Sequence, residues 1–260
     1  MKSLDLYNPF NAPVYYIDTV SSTMDVSRRL AEEDQPHGTV IIADFQESGR
    51  GRGQDQGQNR TWEMQSGVNL PFTVLLRFSG IKEIPPALTL RTGLAVSYSI
   101  EDFTPSLRGN VKVKWPNDIM IDSKKAVGIL CEADGGNVHV GIGINVAQMD
   151  FPAHLQEKAT SIALASGENI SIMSRFVLLE KILLRIYDEL ETDAGENWKS
   201  RLDERLYKKD ENVLFIDGAV SSGKEVKGRL CGIGDNGELL VIPKDKKEPQ
   251  SFITGELVVY

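Results

Sequence analysis

The chain has 260 residues, 41% of them hydrophobic and 25% charged, with a formal net charge of −8. That length allows one large domain, alone or with a small companion, and a sizeable core. The acidic balance excludes a general nucleic-acid binder, which needs a basic face. No apolar run approaches the roughly 18 residues of a membrane span.

The N-terminus, MKSLDLYNPF, lacks the apolar core of a secretory signal. Cys131 and Cys231 lie far apart without CxxC spacing, so buried free thiols in a reducing, cytoplasmic compartment are expected. His37, His139 and His154 show no metal-ligand spacing and are expected to be structural or at the surface, which leaves no histidine-based catalysis. Pro13–Val20 (PVYYIDTV) is rich in aromatic and β-branched residues and predicts a strand. Ser21-Ser22-Thr23 then precede Met24–Glu33, where Val26, Arg29 and Leu30 mark a helical face. Ser22 or Thr23 is placed to cap that helix. A helix N-terminus with free N–H groups is also an anion site, and these residues alone admit both readings. His37–Gly38 reads as a turn and Thr39–Phe45 (TVIIADF) as an apolar strand.

The next stretch, Gln46–Trp62, reads QESGRGRGQDQGQNRTW. Gly49, Gly51 and Gly53 alternate with Arg50 and Arg52. Alternate glycines let backbone approach a ligand closely, and arginines between them can clamp phosphate or carboxylate oxygens. A flexible surface loop accounts for the glycines and glutamines, but not for two arginines set between glycines directly after an apolar strand. RNA-binding Gly/Arg segments usually repeat, and this one occurs once. A loop that orders on its ligand is the reading adopted. Gly67–Phe78 then predicts a strand, and Ala87–Asp102 a mostly apolar helix packed under a sheet, with Leu90, Leu94 and Ser97 on one face.

Val111–Leu130 (VKVKWPNDIMIDSKKAVGIL) organises the chain. Pro116 lacks an N–H and fits a central sheet position poorly. The first strand therefore ends at Lys114-Trp115-Pro116-Asn117-Asp118. A second strand covers Asp118–Ile121, a turn Asp122–Lys124, and a third strand Ala126–Cys131. The corner puts Trp115, Asn117 and Asp118 at a sheet end, with Lys125 leaving the turn. A cation, a carboxylate and an amide on a rigid scaffold suit a phosphate-bearing ligand with its metal. A hairpin with a buried Trp and solvated lysines fits the spacing as well.

Asn137–Ile144 (NVHVGIGI) is a further strand, ending at Asn145. Its Gly141-x-Gly143 is no dinucleotide fingerprint, because no GxGxxG leads into a helix. Phe151–Ile170 connects, with a short helix. Ile172–Glu191 is a helix on the spacing of Phe176, Leu179, Leu183, Ile186 and Leu190, with Ser171 as its cap. Ala194–Leu206 is another, and both are expected to be structural. From Tyr207 short strands dominate: Asn212–Ile216, Lys224–Cys231, Leu239–Pro243 and Gln250–Ile253, with turns at Asp217–Gly218, Ser221–Gly223, Asp235–Gly237 and Lys244–Lys247. The chain is thus divided into 1–206 and a small β-barrel, 207–260.

With these residues in view, the sequence resembles the biotin–protein ligases, also called biotin–[acetyl-CoA-carboxylase] ligases. The motifs are Ser22-Thr23, Gln46, Gly49-Arg50-Gly51-Arg52, Arg60-x-Trp62, Lys114-Trp115-Pro116-Asn117-Asp118, Lys125, Gly128-Ile129-Leu130 and Gly141-Ile142-Gly143-Ile144-Asn145. They run in the family's order over nearly the whole chain. The resemblance implies an α+β fold: a central mixed β-sheet with flanking helices, of the class II synthetase-like kind, plus an SH3-like C-terminal β-barrel. It implies biotin as substrate, with ATP and Mg²⁺. Biotin would be activated as biotinyl-5′-AMP and passed to one lysine of a biotin carboxyl carrier domain. It assigns Lys125, Arg52 and Asp118 to catalysis. Ser22, Thr23, Met24, Gln46, Gly49, Arg50, Gly51, Arg52, Lys125 and Gly128 would hold biotin or its adenylate. Trp115, Asn117, Asp118 and Asn145 would lie at the ATP side, and no residue is assigned as a metal ligand.

Two departures stand out. The family's GRGRxxRxW is stretched here, with Gly53–Thr61 read as a loop insertion and Arg60 as the later arginine. Position 24 is Met where the family often has Asn. The roughly 20 residues before Ser22 are too few for the DNA-binding domain of repressor-type members, so an enzyme-only chain without DNA or membrane partners is expected. An exposed sheet edge would suit a homodimer. A lipoate–protein ligase or octanoyl transferase of the same superfamily, and a non-catalytic adenylate-binding regulator, are the alternatives.

Overall fold

Period-two alternation in the apolar strands builds one mixed sheet whose two faces differ sharply. The computed structural model describes residues 1–55, 58–219 and 222–258, with the backbone alone at 54, 55, 58–61 and 193. In chain order the elements are β1 (Lys2–Ser3), β2 (Val14–Val20), α1 (Thr23–Glu32), β3 (Thr39–Gln46), β4 (Arg50–Asp55), β5 (Gln58–Thr61), β6 (Leu70–Arg77), α2 (Leu88–Phe103), β7 (Val111–Lys114), β8 (Asp118–Ile121), β9 (Lys124–Asp134), β10 (Asn137–Ile144), α3 (Ile162–Ser166), α4 (Ser174–Glu191), α5 (Trp198–Arg205), β11 (Asn212–Asp217), β12 (Lys224–Ile233), β13 (Leu239–Pro243), β14 (Gln250–Phe252) and β15 (Glu256–Leu257).

The main sheet has the order β1-β2-β3-β6-β10-β9-β8-β7. β2 and β3 are parallel, joined through α1, and the other pairs are antiparallel. On β10, Val138, Val140, Ile142 and Ile144 alternate with His139, Gly141 and Gly143. The first set enters the core with Phe72, Val74 and Leu76 of β6, beneath α2 and Leu178, Leu179, Ile182 and Ile186 of α4. Each such side chain stabilises the fold by about 1.5–3 kcal/mol. In the second set His139 and Gly141 face α1 and Gly143 faces Trp62; α1 packs Val26 and Leu30 on Ile41 of β3. The sheet is therefore filled on one face and stripped to glycine under α1 on the other.

Buried charge ties the helices together. The Glu189 carboxylate on α4 takes Arg91 of α2 at 3.1 Å and Arg201 of α5 at 2.7 Å. Glu101 of α2 pairs with Arg205 of α5 at 2.6 Å and accepts the Gly109 N–H at 2.9 Å. Burial would raise the Glu101 pKa, but these bonds outweigh it and hold the carboxyl below its usual range.

The C-terminal sheet has the order β14-β13-β12-β11-β15, consistent with an SH3-like module. Phe215, Leu230, Leu239 and Val241 form its core with Leu90 of α2, Val113 of β7, Trp115 and Leu202 of α5.

Several boundaries differ from the sequence reading. The strand expected from Gly67 begins at Leu70, because Gly67 has φ +76°. Ser171 does not cap α4. The N-cap is Met173, without a side-chain hydrogen bond, and Ser171 offers only its carbonyl to the Ser174 N–H at 2.9 Å. α5 starts at Trp198, after a single 3-10 turn at Asp193–Gly195. The segment read as a loop insertion is largely ribbon, with β4 paired to β5 and Arg50 opposite Thr61. Residues 56–57, the Arg60 side chain and part of the expected Ser221–Gly223 turn lie outside what the structure describes.

Candidate functional site

The site begins where α1 starts. Ser22 has extended backbone, and its Oγ accepts the Met24 N–H at 3.3 Å, so this hydroxyl caps the helix. Thr23 acts differently. Its N–H and its hydroxyl both donate to Gln46 Oε1, at 2.8 and 2.9 Å. The Thr23 oxygen in turn accepts from the Thr73 hydroxyl of β6 at 2.8 Å.

Under this corner lies the glycine floor. A Cβ on Gly143 would stand 2.8 Å from Trp62 Cε2, and one on Gly128 2.9 Å from Trp62 Cζ3. Real Cβ atoms do not approach that closely, so the indole lies flat on β9 and β10 only because both positions are glycine. Met24 uses Gly141 likewise, its Sδ 2.8 Å from where a Cβ would be. Gly141-x-Gly143 is therefore a close-packing device, and what it admits are two residues of the site.

Cations rim the floor. Lys125 Nζ stands 2.6 Å from Asp118 Oδ1, an ion pair off the hydrogen-bond axis, and 5.4 Å from the Trp62 ring centre. Lys114 reaches the other Asp118 oxygen at 3.9 Å. Arg50 pairs with Asp25 in the first turn of α1, and Arg28 meets the same Asp25 oxygen at 3.0 Å. Arg52 turns toward the C-terminal sheet. Its guanidinium donates to the Gly255 carbonyl and lies 6.0 Å from the Trp115 ring centre.

Two adjoining cavities result. The first holds about 50 Å³ and is lined by nine of the ten residues assigned to biotin or its adenylate. The tenth, Gly49, sits just behind, where a Cβ would be 3.2 Å from Gln46 Nε2. The second holds about 430 Å³ and is lined by Trp115, Asn117 and Thr89 on one side and by Asn236, Gly237 and Ile253 of the C-terminal sheet on the other. The two share Arg52, Asn117, Ile129 and Leu130. Trp115 is buried, with its indole N–H donated to the Gly237 carbonyl at 2.9 Å. Asn117 donates to the Ile129 carbonyl at 2.8 Å. Asn145 reaches neither cavity. It is buried, its amide donates to the Thr160 carbonyl at 3.0 Å, and its Oδ1 has no partner among the described residues.

A model of the Biotin/lipoate A/B protein ligase family matches residues 16–148, just over half of the chain. The chain belongs to that family. The matched residues run from β2 to just past β10 and so carry the glycine floor and its cationic rim. Among this ligase family's curated members, the bifunctional ligase/repressor BirA of Bacillus spizizenii is 39% identical over 176 residues, covering 65% of this chain and 51% of that protein. The biotin--[acetyl-CoA-carboxylase] ligase of Mycobacterium tuberculosis is 31% identical over 175 residues, covering 65% and 61%. This chain thus matches about half to three fifths of those relatives' length. Among solved structures, the biotin protein ligase of Aquifex aeolicus, in complex with biotin and ATP, superposes with TM-score 0.75 at 28% identity, covering 94% of this chain and 97% of that one. The fold is that of the biotin protein ligase catalytic region.

Thr73, Asp25 and Thr89 carried no sequence signal. Thr73 is one hydroxyl in an apolar strand, and its partner is 50 residues away. The histidines behave as expected of structural residues. His139 is buried, bonded to Ser27 Oγ at 2.8 Å, and burial with nearby Arg28 depresses its pKa to about 4. Cys131 and Cys231 are unpaired and half-buried rather than fully buried, and burial of the Cys131 thiol pushes its pKa up to about 11.

Proposed function

We propose that this protein is a biotin–protein ligase acting in the cytoplasm. The biotin carboxylate attacks the α-phosphorus of ATP, the bond to pyrophosphate breaks, and biotinyl-5′-AMP forms. The ε-amine of one lysine on a biotin carboxyl carrier domain then attacks the acyl carbon. AMP leaves, the amine loses its proton, and a biotinyl amide remains. The observation that carries this reading is the pair of adjoining cavities: a narrow cationic one, and a second of the size of a small-molecule site, joined at Arg52 and Asn117. The Aquifex aeolicus protein of the same fold was solved with biotin and ATP, and the Mycobacterium tuberculosis relative is named for the acetyl-CoA-carboxylase acceptor.

Adenylation brings two anions together. Arg50, Arg52 and Lys125 line the first cavity, where fixed positive charge lowers the cost of that approach and of the charge built up at phosphorus. Asp118 holds Lys125 by its 2.6 Å ion pair. The same carboxylate would orient an incoming lysine amine. In its present arrangement the 50 Å³ cavity has room for a few waters, so a two-ring ligand enters by lifting Trp62 off Gly128 and Gly143.

Among the described residues no group of three or more His, Cys, Asp and Glu side chains gathers. Mg²⁺ commonly takes only one or two protein carboxylates, and Asp118, beside Lys125, is the carboxylate that would hold one carried in on ATP phosphates. Bound there, it would neutralise phosphate charge.

The test is isotope exchange between pyrophosphate and Mg-ATP. Exchange that depends on biotin supports the reading. Exchange that depends on lipoate or octanoate, and not on biotin, would replace it with the other branch of the family.

A further inference from the structure

We propose that Thr73 is a positioning residue for the ligand wall, one that helps anchor the Gln46 amide in its orientation without touching the ligand. The inference rests on the reading of the first cavity as the biotin site, which it deepens.

Thr73 is 0% exposed, in the middle of β6, opposite Ile41 on one side and Gly141 on the other. It does not line the cavity. Its hydroxyl donates to Thr23 Oγ1 at 2.8 Å. Because the Thr23 oxygen is already an acceptor, its own proton points elsewhere, and it points at Gln46 Oε1 at 2.9 Å. The Thr23 main-chain N–H, which can only donate, meets that same Oε1 at 2.8 Å. Two donors on one oxygen fix which end of the amide is which. Gln46 Oε1 faces α1, and Nε2 becomes the end free to donate to a ligand acceptor in the cavity that Gln46 lines.

Without the Thr73 hydroxyl, nothing directs the Thr23 proton at Gln46 Oε1, and the main-chain N–H is left as the one donor sure to hold the amide. The amide is then anchored by one donor in place of two, and its Nε2 end is held less firmly toward the site. Thr73 also stands beside Gly141, whose missing side chain gives Met24 its place. The hydroxyl chain and the glycine floor are thus built on neighbouring residues of paired strands.

The experiment compares wild type, Thr73→Val and Thr73→Ser. It measures KM for biotin and for ATP in pyrophosphate exchange, biotin affinity by calorimetry, and the urea midpoint. Thr73→Val is expected to raise the biotin KM and Kd about five- to tenfold, the worth of one hydrogen bond. KM for ATP and kcat should stay within about twofold of wild type, and Thr73→Ser should restore the biotin values. A biotin KM unchanged in Thr73→Val overturns the proposal. So does a loss that tracks the urea midpoint and is not rescued by serine. If Thr73→Val does not fold, Thr73→Cys, a weaker donor, supplies the same comparison. Wild-type protein that neither exchanges pyrophosphate with biotin nor binds biotin would refute the ligase reading itself, an outcome separate from any effect of the variants.

Discussion

Stability should fall between pH 7.5 and pH 5.0 through one residue, His139. Its imidazole is 1% exposed on β10 and bonded to Ser27 of α1, the helix whose first residues form the ligand wall. Burial, then the charge of Arg28, depresses its pKa from 6.5 to about 4, with smaller effects from Asp134, which raises it, and Arg77, which lowers it. The unfolded chain therefore binds a proton that the folded chain refuses across this window, and stability rises with pH there. Above the unfolded pKa both states are neutral and the effect vanishes. At pH 5.0 the unfolded imidazole is almost wholly charged and the folded one mostly neutral, a loss of about 2 kcal/mol. Urea unfolding of wild type and His139→Gln at both pH values isolates this contribution, because the carboxylates titrate alike in the two proteins. The gap between their unfolding free energies should change by about 2 kcal/mol from one pH to the other. Parallel pH dependence in the two proteins would refute a buried, proton-refusing His139.

Lys125→Ala should leave the urea midpoint near that of wild type, since the side chain is 35% exposed, and should cut biotin-dependent pyrophosphate exchange by about a hundredfold or more. Normal exchange would remove Lys125 from the chemistry. Arg52→Ala frees the loop from Gly255 and Trp115, so bound adenylate should escape faster in a chase with unlabelled biotin; an unchanged rate would show that Arg52 does not retain it. Gly143→Ala puts a methyl 2.8 Å from the Trp62 ring. At an overpacking cost of about 1–3 kcal/mol, it should shift tryptophan fluorescence and raise the biotin KM; an unaltered spectrum would mean that Trp62 does not rest on that strand.

Much of the scaffold was legible because it is written in local pattern. Ser22 or Thr23 reads as a cap from its own neighbours, and Ser22 is the one. The corner after Lys114 follows from Pro116, and the hairpin of β8 and β9 turns at Asp122–Ser123, both at positive φ. The alternation in Asn137–Ile144 separates an apolar face from His139, Gly141 and Gly143, and the structure buries them on opposite sides of β10.

The rest depends on partners distant in sequence. No local signal tells that Gly128 and Gly143 are empty for the sake of Trp62. The same holds for Thr73, or for Arg52 reaching a carbonyl of the C-terminal sheet. Ser171 looked like a cap because hydroxyls before helices often are, but the chain enters α4 through a turn that leaves it outside. The β4–β5 ribbon reads as loop because Gly, Gln and Asn favour loops, and pairing between its two halves overrides that weak propensity. The motif assigns Asn145 to the ATP side; in the structure its amide donates to the Thr160 carbonyl, a contact that no local pattern announces.

The most direct test is mass spectrometry of the protein given Mg-ATP with equimolar biotin and lipoate, followed by a carboxyl-carrier domain. The account predicts a biotinyl adduct on one carrier lysine and no lipoyl adduct. A lipoyl adduct, or a bound biotinyl adenylate that no carrier lysine ever receives, would contradict it.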